Sequence, residues 1–120
     1  MNLKEHQAWL TDFYKTRGWY QYPTFIHLNF MTEEVGELSR AVRAIEIGRD
    51  HPGESKKTPA ELEDNLEEEL ADVLDQVLMI SSKYDIDPET LERLRGSCVR
   101  EVKRLNGSFT MDDAVDWQKG

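Results

Sequence analysis

A chain of 120 residues can enclose one modest hydrophobic core, so a single domain is expected. A formal net charge of −9 leaves no basic stripe to neutralise a polyanion, which excludes nucleic-acid polymers as partners. No apolar run approaches the roughly 20 residues of a membrane helix, and the sole cysteine, Cys98, cannot close an internal disulfide, so the expected setting is a reducing cytoplasm without membrane contact.

The first residues, MNLKEHQAWL, place Lys4, Glu5 and His6 where a signal peptide would need apolar side chains. They open instead a predicted helix from Leu3 to about Arg17, with Leu3, Trp9, Leu10, Phe13 and Tyr14 at helical spacing and Gly18 at its end. Aromatic stripes at that spacing are ordinarily core, which is the expectation for Trp9 and Phe13. Pro23 and Thr24 open a long second helix that runs to Gly48. The following RDHPGESKKTP is a polar loop punctuated by glycine and proline. Thr58 is the expected N-cap of a third helix, with Pro59 at its first position and Glu61 completing a capping box. That helix reaches about Tyr84. Asp87 and Pro88 start a fourth, which extends to roughly Leu105 before Asn106 and Gly107. Strand alternation is absent, so the expected fold class is all-α, a four-helix bundle over residues 1–105 with a C-terminal tail over 106–120. Leu70, Leu74 and Leu78 form a second apolar face on the third helix, and a helix apolar on both sides is expected to be shared between subunits.

Four acids break the pattern of these helices. Glu34 lies between Phe30 and Leu38 on the apolar stripe of the second helix, and Glu37 shares its face. On the third helix Leu62, Leu66, Val73, Val77 and Ile80 form the stripe, with Glu69 inside it and Asp72 at its edge. Burying an unpaired carboxylate is expensive, so two inward acidic pairs on two helices require cations. Neither pair carries a histidine at the spacing that carboxylate-bridged iron or manganese centres use. Hard oxygen donors favour Mg2+, with Mn2+ as a possible substitute.

The motifs EEVGEL (33–38) and EEELADVL (67–74) resemble the EExxE and ExxD signatures of the MazG-like, all-α nucleoside triphosphate pyrophosphohydrolases. The resemblance continues through RGWYQYPTFIHLNFM (17–31) and YDIDPE (84–89), covering residues 5 to 95. It implies a helical bundle, a homodimer or homotetramer, that binds Mg2+ and splits a (d)NTP between its α and β phosphates into monophosphate and pyrophosphate. It assigns metal binding to Glu34, Glu37, Glu69 and Asp72, with Glu37 or Glu69 taking the proton of the attacking water. Glu33 and Asp75 are placed behind these ligands. Trp19, His27 and Phe30 are candidates for base contact, His27 being read first as a core or supporting histidine. The last helix, RLRGSCVREVKRLNG (93–107), departs from the polar pattern common in such proteins, and Arg95, Arg100, Lys103 and Arg104 are available for phosphate contact, with Arg95 the first candidate. Related readings are a dimeric dUTPase, a phosphoribosyl-ATP pyrophosphohydrolase, or a non-catalytic helical dimer that binds nucleotide or metal. No Walker motif is present, so a P-loop mechanism is excluded.

Overall fold

The computed structural model describes residues 1–48, 53, 55–94, 101 and 104. They form helices α1 (Leu3–Arg17), α2 (Thr24–Ile47), α3 (Pro59–Lys83) and α4 (Pro88–Leu94), and no strand occurs among the described residues. The chain is all-α, as its pattern predicts. The expected run of the fourth helix to Leu105, the tail over 106–120 and Cys98 lie outside the described residues, as does the 105/106 boundary. No helix among the described residues is long and apolar enough to cross a membrane.

The helix ends follow local chemistry. Asn2 accepts the Glu5 amide at 2.8 Å and caps α1. Gly18 closes α1 with φ of 76°, a left-handed conformation that glycine adopts without steric penalty. Thr58 Oγ1 accepts the Glu61 amide at 3.2 Å, and Pro59 follows, so α3 begins where the sequence places it. In place of the full capping box, the Thr58 hydroxyl also donates to the Glu61 carboxylate, 3.2 Å away.

The chain forms two compact units, Met1–Asp87 and Pro88–Gly120. In the first, α2 lies along α3 and α1 packs on α3. Leu10, Leu78 and Met79 form the buried cluster, flanked by Tyr14 and Tyr20. Gln7, also buried, pins α1 to α3: its amide donates to the Leu78 and Ile86 carbonyls at 3.0 and 3.1 Å. The 18–23 connection is held against the end of α3. Lys83 Nζ donates to the Tyr20 and Tyr22 carbonyls and lies 4.5 Å from the Tyr20 ring centre.

Three expectations need correction. Trp9 is 53% exposed and Phe13 36%, so neither is core. The stripe that α1 buries is Gln7, Leu10 and Tyr14, and His6, Trp9 and Phe13 occupy the neighbouring one. Leu78 belongs to the core, at 1% exposure, and only Leu70 (50%) and Leu74 (42%) of the proposed second face are open. Val77, expected in the inward stripe of α3, is 36% exposed.

Candidate metal centre and adjoining cavities

Because α2 and α3 pack side by side, their acidic pairs converge. One carboxylate oxygen from each of Glu34, Glu37, Glu69 and Asp72 lies within 4.8 Å of the others. Glu34 and Glu69, the two inside the apolar stripes, are half-buried, and Glu37 and Asp72 are exposed. Glu34 Oε2 and Glu69 Oε2 are shut off from solvent without a hydrogen-bond partner. A buried carboxylate oxygen left in that state is destabilising by itself. Burial and the charges of Glu37, Asp72 and Glu69 push the Glu34 carboxyl up to about 7, and a hydrogen bond that the protonated Glu34 donates to Glu37 adds to the effect. Glu69 is raised by burial and then by Glu37, and Asp72 by burial and then by Asp75.

Such a quartet can hold a divalent cation. Its donors are all oxygen, its spacing admits an ion between the helices, and its two orphaned oxygens lack any other partner. Asp75 is not part of the quartet. Its Oδ1 lies 2.7 Å from His6 Nε2, so its cationic or hydrogen-bonding partner comes from α1 of the same chain.

Beside the acids opens an aromatic cavity of about 300 Å³ lined by Tyr14, Trp19, Tyr22, Phe30, Glu33, Glu34 and Gln76. A second recess, bounded by Trp9, Phe13 and Trp19, reaches Glu34, Asp72 and Asp75. The rings form a connected wall: Trp9 stacks on Phe13 at 5.5 Å, and Trp19 meets Phe13 and Tyr14 edge-on at 6.0 and 5.5 Å. Trp19 and Phe30 both line the first cavity, and Glu33 borders it beside Glu34.

His27 is fully buried, against the rings of Tyr14, Tyr22 and Phe30, and lines neither cavity. Burial and then the Lys83 charge lower its pKa. The Tyr20 and Trp19 backbones oppose that shift, yet neither ring nitrogen has a partner in hydrogen-bonding geometry. Arg95 lies outside the described residues.

Sequence reasoning passes over Tyr14, Tyr22, His6 and Gln76 as site residues. Gln76 donates to the Tyr14 hydroxyl at 2.9 Å, and its buried Oε1 has no partner. A signal for Gln76 does exist: it follows Asp72 by four positions and so shares its helix face.

Residues 26–92 match the family model of the MazG nucleotide pyrophosphohydrolase domain. The chain is also similar to the uncharacterized protein YvdC of Bacillus subtilis (strain 168), 43% identical over 89 residues, which span 74% of this chain and 84% of that protein. No solved structure matches the chain.

Proposed function

The chain belongs to the MazG nucleotide pyrophosphohydrolase family, and from that premise we propose that it hydrolyses a (d)NTP to (d)NMP and pyrophosphate with Mg2+. The observation that carries this reading is the acid quartet, with two buried carboxylate oxygens lacking a partner beside an aromatic cavity. Glu34, Glu37, Glu69 and Asp72 would hold the cation. When bound, the cation supplies charge neutralisation for the polyphosphate and Lewis acidity at the scissile phosphorus.

The protein's own groups do the rest. Trp19, Phe30 and Tyr22 offer ring faces for the base, and Gln76 Oε1 an acceptor for an N–H on its edge. With the base there, the α-phosphate falls towards Glu34 and its neighbours. Water bonds to the α-phosphorus as the bond to the bridging oxygen breaks, and pyrophosphate leaves. Glu37 or Glu69 takes the proton of that water, and water returns it to solvent. Asp75, positioned by its contact with His6, acts on Asp72 through charge rather than on substrate. His27 packs behind the rings and supports their placement.

Exposed Leu70, Leu74 and Val77 on α3 support assembly as a homodimer or homotetramer through that helix. Residence in the cytoplasm is part of the same proposal.

Pyrophosphate release from a panel of canonical and modified (d)NTPs with Mg2+ tests the activity. Glu34→Gln and Asp72→Asn should abolish the turnover that the wild type shows. A folded wild-type protein that binds Mg2+ and turns over none of the panel would overturn the general NTP reading and favour a nucleotide-binding role.

A further inference from the structure

A third cavity, of about 340 Å³, lies against the quartet and has the opposite chemistry to the aromatic ones. Glu37 and Glu69 border it, so it shares two of the quartet's acids. Its remaining polar walls are Arg40, Lys57 and Asn65. The helical register explains this grouping. Arg40 follows Glu37 by three positions on α2, and Asn65 precedes Glu69 by four on α3, so each sits one turn from an acid on the same face. Lys57 comes just before the Thr58 cap of α3. Ala41 and Ala44 leave the α2 side of the cavity open because their side chains end at Cβ.

We propose that this cavity receives the β- and γ-phosphates of the substrate, and the pyrophosphate formed from them, with Arg40 and Lys57 as charge partners and Asn65 as a hydrogen-bond donor. This rests on the pyrophosphohydrolase reading above and adds a direction to it. The aromatic cavities border Glu34, and the basic cavity borders Glu37 and Glu69. A nucleotide laid across the acids with its base among the rings has its polyphosphate end among the cations. The reverse placement would set a −3 or −4 tail against Glu33, Glu34 and aromatic faces. Arg40 offers a planar fork suited to phosphate oxygens, and Lys57 a point charge on a flexible stem. Arg40 and Lys57 balance the tail beside Glu37 and Glu69, the arrangement that stabilises a leaving pyrophosphate.

The test is calorimetric and needs no turnover. Inorganic pyrophosphate with Mg2+ and each canonical deoxynucleoside monophosphate are titrated into wild type, Arg40→Gln, Lys57→Gln, the double variant and Trp19→Ala. The inference expects the double variant to bind pyrophosphate at least ~10-fold more weakly, with monophosphate affinity changed less than about two-fold. Arg40→Lys should restore part of the loss. Trp19→Ala should weaken the monophosphate and spare pyrophosphate. Unchanged pyrophosphate affinity in the double variant, equal loss of both ligands, or no pyrophosphate binding by wild type would each overturn it. The two readings separate cleanly. Pyrophosphate binding that depends on Arg40, in a wild type that cleaves no nucleotide, keeps the cavity assignment and removes the activity. Turnover with unaltered pyrophosphate binding does the reverse.

Discussion

Replacing Glu34 with glutamine should make the metal-free protein more stable while removing its response to Mg2+. The Glu34 carboxyl is raised from 4.5 to about 7. A carboxyl raised on folding binds its proton more tightly in the folded state, so stability falls as pH climbs from 4.5 through 7 and the full penalty applies above that range. At 1.36 kcal/mol per pH unit the rise corresponds to about 3 kcal/mol, which solvent at the open side of the quartet reduces to about 1 to 2 kcal/mol. Glutamine keeps the shape and removes the charge. Urea unfolding in EDTA at pH 8 should therefore show Glu34→Gln more stable by about 1 to 2 kcal/mol, with the advantage gone below pH 4.5. Adding Mg2+ should stabilise the wild type by mass action and leave the variant nearly unchanged. A Glu34→Gln protein less stable than wild type in EDTA at pH 8 would mean that internal partners already satisfy the acids, and the argument for a cation would fall.

Other perturbations reach different parts of the account. Trp19→Ala removes a wall shared by both aromatic cavities. It should raise KM about 10-fold, within the range for loss of one base-stacking ring, and leave kcat within a few-fold; an unchanged KM would place the base elsewhere. Thr58→Ala deletes the α3 cap and should cost about 1 kcal/mol in urea unfolding, and no change would mean that the start of α3 does not depend on it. Leu74→Lys charges an exposed position on α3. Sedimentation should report a shift to monomer, and an unaltered mass would move the assembly surface off this helix.

Much of this arrangement is legible in the sequence because it is local or helical. The caps at Thr58 and Gly18 depend on residues within one turn. The quartet is legible because an acid inside an apolar stripe needs a reason, and two such helices in one small domain can share it. What is not legible depends on which stripe of a helix its neighbours cover. On α1 two adjacent stripes are rich in large rings, and only packing against α3 selects Leu10 and Tyr14 over Trp9 and Phe13. Leu78 looks like part of an outer leucine row and becomes core for the same reason. The His6–Asp75 contact joins residues 69 positions apart, and the 18–23 connection depends on Lys83, some 60 residues later. Pairs at that separation leave no periodic trace. The basic cavity is hidden differently: Arg40, Lys57 and Asn65 each look like ordinary surface residues until α2 and α3 bring them together.

The most direct test of cleavage between the α and β phosphates is to run the reaction with Mg2+ in 18O-labelled water and read the products by 31P NMR. Attack at the α-phosphorus places one label in the nucleoside monophosphate and none in pyrophosphate, and this is the expected result. Label in pyrophosphate, or release of orthophosphate in its place, would contradict the account by putting the reaction at another phosphorus.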